Sequence, residues 1–258
     1  MLRKNAPIAV FDSGLGGLSV LRELVRLMPN EDFLYLGDSA NAPYGPRSAE
    51  EVQHLTCANA EHLFRQGCKA LVVACNTATS VAIQLLRETY PETPIIGIEP
   101  ALKPAVQAFF HPSVLVMATE MTLKEEKFRR LMESYGGEAD IYRLPAPGIV
   151  ECVERGEVDG PVLDAYLREI FKPYQSVRLD AIVLGCTHFP FAQRAILRNI
   201  QKNVRIYDGG PGTARETQRR LEAAGLCTDH TRPGRVELTN SGGPSAVRRS
   251  NLLFSLPE

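Results

Sequence analysis

Short apolar runs rich in Val, Ile and Leu alternate along the chain with stretches whose apolar residues recur every three or four positions. The run Ile8–Phe11 breaks at Asp12-Ser13-Gly14 and predicts a buried strand leaving into a loop. Leu18, Leu21, Val25 and Met28 then repeat at helical spacing until Pro29-Asn30 stops them. A helix drawn from Gly14 to Met28 would make Asp12 a simple N-cap residue. Phe33–Leu36 predicts a second strand, followed by a long loop over Gly37–Arg47. Ser48 with Glu51 forms a capping-box pattern ahead of a helix carrying Val52, Leu55, Asn59 and Leu63, with Gly67 as its C′ residue. Ala70–Ala74 predicts a strand running straight into Cys75-Asn76-Thr77; a helix over Thr79–Thr89 and a strand over Ile95–Ile98 follow.

The second half repeats this grammar. Strands are expected over Val114–Met117, Ile141–Leu144, Ala181–Leu184 and Val204–Tyr207. Thr122 with Glu125 predicts a cap for a helix ending near Gly136-Gly137; a loop is expected at Pro145–Gly148, and helices over Val150–Arg155 and Pro161–Phe171. The tail offers a helix over Arg215–Ala224 and a strand over Val236–Asn240. Strand–helix alternation of this kind predicts parallel sheets with helices on both faces. ALVVACNT (70–77) and AIVLGCTH (181–188) are the most alike segments of the two halves and read as equivalent strands of a duplicated fold. On this reading the loop at Asp12 corresponds to the loop at Thr119. The expected fold class is therefore α/β: two similar parallel-sheet domains related by pseudo-twofold symmetry. The tail must pack on one of the two units.

Composition narrows the function classes. The chain of 258 residues is long enough to bury a core without staples or metal, and 44% hydrophobic with 23% charged residues is an ordinary globular balance. A formal net charge of -1 invites neither nucleic acid nor an anionic membrane, and the absence of Trp argues against a base-stacking platform. No apolar run approaches the roughly 18 residues of a membrane helix, and the N-terminal run stops at Asp12 without a signal-peptide core. A cytoplasmic protein with reduced thiols is expected. Its six cysteines (57, 68, 75, 152, 186 and 227) show no CxxC spacing, so a zinc ribbon or thioredoxin-type motif is unsupported.

In open parallel sheets, ligands bind beyond the carboxyl ends of strands. Four loops qualify: Asp12-Ser13, Pro43-Tyr44-Gly45, Cys75-Asn76-Thr77 and Cys186-Thr187-His188. Cys57, Cys68, Cys152 and Cys227 read as packing residues. Cys75 and Cys186 differ, because each ends a strand at an expected loop–helix junction, where helix N–H groups favour a thiolate. Two thiols facing one another across a substrate carbon could remove a proton from one face and return one to the other, which is stereoinversion. A hydrolase with Cys186 as nucleophile and His188 as base needs only one of them. A zinc site built from Cys75, Cys186 and His188 has only three ligands, and a metabolite-binding protein without chemistry is a further alternative. The glycines of DSGLGGLS do not meet the dinucleotide fingerprint and serve as turn and backbone-approach residues.

FDSGLGGLSVL (11–21), DSANAPYG (38–45), LVVACNTAT (71–79) and VLGCTHFP (183–190) occur in order along the chain. Together they closely resemble the glutamate racemase branch of the cofactor-independent aspartate/glutamate racemase superfamily, over residues 8 to about 212. The resemblance implies two α/β domains with the active site in the cleft between them, residues 1–100 forming the first, completed by the C-terminal tail 208–258, and residues 101–207 the second. It implies interconversion of L- and D-glutamate without pyridoxal phosphate or metal, feeding peptidoglycan synthesis. Cys75 and Cys186 then look like the paired acid/base thiols, Asp12 like the carboxylate assisting the first, and His188 like the group assisting the second. Glu154 resembles the family glutamate near the second thiol, with Glu151 on the same expected helix face as its competitor. Ser13, Tyr44, Gly45, Asn76, Thr77, Thr119 and Thr187, with Asp12 and His188, match substrate-holding positions. A homodimer and activation by a cell-wall precursor are further implications; a racemase of another amino acid such as aspartate is the nearest alternative.

Overall fold

The computed structural model describes residues 3–124, 126–200 and 203–257. The chain divides into two compact units, Met1–Glu99 with Gly210–Glu258, and Pro100–Gly209. In the first stretch, β1 (Ile8–Asp12), α1 (Leu18–Leu27), β2 (Phe33–Gly37), α2 (Ala49–Arg65), β3 (Ala70–Val73), α3 (Asn76–Thr89) and β4 (Ile95–Gly97) alternate strictly. The second unit runs α4 (Leu102–Gln107), β5 (Ser113–Ala118), α5 (Glu120–Lys124), α6 (Glu126–Ser134), β6 (Asp140–Pro145), α7 (Pro147–Glu154), α8 (Pro161–Phe171), β7 (Ala181–Leu184), α9 (Gln193–Asn199) and β8 (Arg205–Asp208). The tail returns to the first unit with α10 (Gly210–Ala223), β9 (Val236–Asn240) and α11 (Gly243–Phe254). Among the described residues no helix is long and apolar enough to cross a membrane.

Every strand pairing is parallel. The first sheet has the order β4-β3-β1-β2-β9 and the second β6-β5-β7-β8. Read from opposite ends, β4-β3-β1-β2 and β8-β7-β5-β6 are the same order, so the two units share one topology and β9 is the first unit's addition. The interior strands β1 and β3 are buried along their whole length. A strand covered on both faces needs apolar residues at every position, which is why these segments read as continuous runs rather than alternations. In the second unit, Val114, Val116, Ala181 and Val183 from β5 and β7 pack with Leu102, Phe128 and Met132 from the covering helices. The edge strands β6 and β8 are more exposed.

Register corrects one equivalence. Phe11 pairs with Val73 and Met117 pairs with Leu184. Cys75 and Cys186 each lie two residues beyond those partners, so they are equivalent. Asp12 then corresponds to Ala118, and Ser13 to Thr119.

Helix starts are the other corrections. α3 begins at Asn76, α7 at Pro147 and α10 at Gly210, each inside a segment expected to be a loop. The first helical turn donates no internal N–H bonds, so Pro, Gly and small polar residues enter it at little cost. Thr119, not Thr122, caps the helix after β5: its Oγ1 accepts from Thr122 N at 3.2 Å. The expected partner Glu125 lies outside the described residues. Asp12 does not cap α1, which starts at Leu18 behind Gly17 with no side-chain cap bond. Ser48 caps α2 through Glu51 N at 3.2 Å, and Gly67 follows with φ +81°.

Two neighbouring carboxylates fasten the tail to the first unit. Glu31 pairs with the fully buried Lys69 at 2.5 Å and accepts from Thr228 N at 2.8 Å. Asp32 accepts from both terminal nitrogens of Arg232 at 2.9 and 2.8 Å. That guanidinium lowers its pKa to about 2, against the opposing effect of burial.

Candidate active site

In the first unit the chemistry gathers at the carboxyl ends of β1, β2 and β3. β3 stops at Val73, and Cys75 becomes the N-cap of α3, with φ -72° and ψ 121°. Its Sγ accepts from Ala78 N at 3.4 Å, so an N–H of the first helical turn faces the sulfur and favours charge there. Sγ also lies 3.5 Å from Ser13 Oγ. Asp12 is fully buried at the end of β1, and its Oδ1 accepts from Gly14 N at 2.9 Å. A side chain at Gly17 would meet Asp12 Cβ at 2.5 Å and Ala74 Cβ at 3.1 Å, so only glycine lets α1 start this close to the carboxylate.

Asn76 is buried, and neither its Nδ2 nor its Oδ1 has a hydrogen-bond partner. An orphaned buried amide is rare in a native protein and costs roughly 1–3 kcal/mol per group. Thr77 is buried beside it. Tyr44 is buried against Phe11, with ring centroids 6.3 Å apart, and its hydroxyl donates to Asp38 Oδ2 at 2.7 Å. Burial, the Asp38 carboxylate, and more weakly Cys75 and Asp12 push the Tyr44 pKa far upward, so the phenol stays neutral. Gly45 follows, partly buried.

In the second unit, Cys186 is buried two residues after β7 ends at Leu184. It does not cap an α-helix. A 3-10 turn over Phe189–Ala192 follows and leads into α9, so the expected helix N-terminus is missing at this thiol. A histidine takes its place: His188 Nδ1 lies 3.6 Å from Cys186 Sγ, and Nε2 lies 2.7 Å from Glu154 Oε1. Burial opposes a charge on His188, but the bonds to Cys186 and Glu154 outweigh it and hold its pKa well above the ordinary value. Glu154 is the last residue of α7, while Glu151, one turn earlier, points to solvent. Thr187 is buried, and Thr119 is half-buried with its Oγ1 3.0 Å from Thr122 Oγ1.

The structure thus joins Cys75 to Ser13 in one unit and Cys186 to His188 and Glu154 in the other. None of the six cysteines is in a disulfide. Burial raises the pKa of Cys57, Cys68 (to about 11), Cys152 and Cys227, in keeping with packing roles. Among the described residues no group of three or more His, Cys, Asp and Glu is arranged to hold a metal ion. One residue was not expected at the site: Asp38, buried, one position beyond β2 and the acceptor for Tyr44. The signal was available, since Asp38 opens a strand-end loop as Asp12 does.

Comparison with known proteins adds family and relatives. The profile of the Asp/Glu/Hydantoin racemase family matches residues 8–217. A glutamate racemase of Clostridium botulinum (strain Alaska E43 / Type E3) is 50% identical over 243 residues, covering 94% of each chain. The crystal structure of the Escherichia coli glutamate racemase in complex with L-glutamate and the activator UDP-MurNAc-Ala is 30% identical. It superposes with TM-score 0.84, covering 95% of this chain and 92% of that one. The glutamate racemase of Francisella tularensis subsp. tularensis SCHU S4 in complex with D-glutamate has TM-score 0.84 at 26% identity, covering 98% and 95%.

Proposed function

The chain belongs to the Asp/Glu/Hydantoin racemase family and is an isomerase, and from that premise we propose that it interconverts L- and D-glutamate with two thiols. The observation that carries the reading is the equivalence of Cys75 and Cys186: same register, same strand end, one in each of two units with one topology. Racemisation needs a base on one face of the α-carbon and an acid on the other, and a duplicated unit supplies two of the same group. The thiolate of one cysteine takes the α-proton. The electron pair spreads into the α-carboxylate, and the thiol of the other cysteine returns a proton to the opposite face. The two sulfurs exchange protonation states, and the reverse reaction runs through the same groups. A single-cysteine hydrolase would use the Cys186–His188–Glu154 line alone, but membership of a racemase family decides against it.

On this reading His188, bonded to Glu154 and lying beside Cys186, assists that thiol, and Asp12, buried at the end of the strand next to the one that leads into Cys75, assists the other. Asn76 presents a carbonyl oxygen and an amide NH2 that a substrate ammonium and carboxylate can satisfy together, and such a ligand relieves the cost of leaving both unpaired. Ser13, Tyr44, Gly45, Thr77, Thr119 and Thr187 complete the substrate contacts. The relatives' names favour glutamate over aspartate. Supply of D-glutamate for peptidoglycan, a reducing cytoplasm that keeps both thiols free, a homodimer and activation by a precursor such as UDP-MurNAc-Ala belong to the same reading. Sedimentation equilibrium, and kcat with and without the nucleotide, test the last two.

The decisive experiment is proton NMR of L- and D-glutamate in D2O with purified protein freed of metal and pyridoxal phosphate. Loss of the α-proton signal from both enantiomers is expected, with growth of the opposite enantiomer read by chiral chromatography of the same samples. No exchange with glutamate, or faster exchange with aspartate, overturns the assignment.

A further inference from the structure

Asp38 accepts more hydrogen bonds than any contact so far explains. It is buried, and its two oxygens accept from four side chains on three parts of the first unit. Tyr44 Oη donates at 2.7 Å and Asn41 Nδ2 at 3.0 and 3.1 Å, both from the loop after β2. Asn59 Nδ2 of α2 donates at 3.2 Å, and Ser241 Oγ of the C-terminal tail at 2.7 Å. Asp38 N donates to Asp12 O at 2.9 Å, so the carboxylate is anchored to the strand end that carries Asp12 and Ser13. Ser241 is itself fixed, because its Oγ accepts from Ala40 N at 3.0 Å and its N–H donates to Gly37 O at 2.9 Å. The corresponding backbone bond in the second unit is Ala146 N to Ala118 O, so no carboxylate stands there.

The Tyr44 hydroxyl is therefore already engaged. What the loop can offer a substrate is the placement of its backbone and ring, and that placement rests on Asp38. Removing one charged acceptor would leave several buried donors short of partners at once. Resting on the racemase reading above, we propose that Asp38 is a positioning residue for the reaction: it ties Ser241 of the tail to Tyr44 and Asn41, and so holds the 41–47 loop in its substrate-receiving form. The tail contributes to the substrate site through this link, without touching substrate.

Hydrogen exchange by mass spectrometry and steady-state kinetics on Asp38→Asn and Ser241→Ala test this. Asp38→Asn keeps shape and removes charge, and Ser241→Ala is mild enough to fold if Asp38→Asn is not. Exchange over residues 41–47 is expected to speed up at least tenfold in Asp38→Asn and about threefold in Ser241→Ala, with α10 unchanged. KM for both glutamate enantiomers is expected to rise about tenfold in Asp38→Asn while kcat stays within about threefold. Unchanged exchange over 41–47 in the Asp38 and Ser241 variants, or a fall in kcat with KM intact, overturns the role. Absence of glutamate turnover by the unsubstituted protein instead overturns the activity, and the exchange data still decide on Asp38.

Discussion

The two units share a strand order and place a thiol at the same point of it, yet they surround that thiol with different chemistry. In the first, Cys75 caps a helix of 14 residues and receives an N–H from its first turn, with Ser13 at 3.5 Å. In the second, Cys186 precedes only a short 3-10 turn and is served by His188, which is held in turn by Glu154. The buried carboxylates differ as well. Asp12 and Asp38 have Ala118 and Ala146 as counterparts, while the second unit takes its carboxylate from α7. Duplication fixed where the thiols stand, and divergence supplied the electrostatics separately: a helix terminus in one unit, a histidine–carboxylate pair in the other. On the two-thiol reading proposed above that division is useful, because the thiols would exchange the roles of acid and base while each sits in its own field.

The largest expected effect tests what the units share. Cys75→Ser and Cys186→Ser should each lower racemisation by about 10³-fold in both directions, since either direction needs a base and an acid and such catalysis contributes about 10²–10⁴. Circular dichroism of glutamate turnover measures it, and near-full activity in either variant would break the equivalence. Next comes a test of divergence. Asp12→Ala places the second unit's residue in the first and should cost about 10²-fold, whereas Ala118→Ser should cost less than about fivefold.

Glu154→Gln should lower activity about tenfold and bring the His188 pKa down, read by NMR titration of the ring protons. The stability difference from the unsubstituted protein should be about 2 kcal/mol near pH 6. A raised histidine pKa stabilises fully below the unfolded value and less as pH climbs through the folded one, so urea midpoints should converge at alkaline pH. The same substitution should leave the Cys75 half-site unaltered, and a matching change there would contradict separate fields. The smallest effect is expected for Cys68→Ala, with activity within about twofold and a modest loss of Tm from the vacated core volume.

Much of the fold was legible because its signal is local. Ala181–Leu184, Pro161–Phe171 and Val236–Asn240 coincide with the strand or helix read from the chain, their ends marked by Gly, Pro or polar clusters. Helix starts at Asn76, Pro147 and Gly210 were not legible, because first-turn residues look like loop residues and only backbone geometry separates them. α4 and α9 are too short for periodicity to register, with 6 and 7 residues. Within the site, the two thiols stood out through the likeness of the segments around them. Asp38 was marked only by its place after a strand end, because its partners Asn59 and Ser241 lie far along the chain.

The sequence by itself determined the alternation that makes parallel sheets, the duplication, and the pair of strand-end cysteines, all of which are written in periodicity and neighbouring residues. Only the tertiary structure decided that Asp12 faces Gly14 and Gly17 rather than capping a helix, that Glu154 and not Glu151 meets His188, and that Asn76 is left without a partner. The reason is physical. Two glutamates one helical turn apart share a face in the sequence pattern, but a hydrogen bond needs a donor within about 3 Å, and only the packed chain brings the imidazole to one of them.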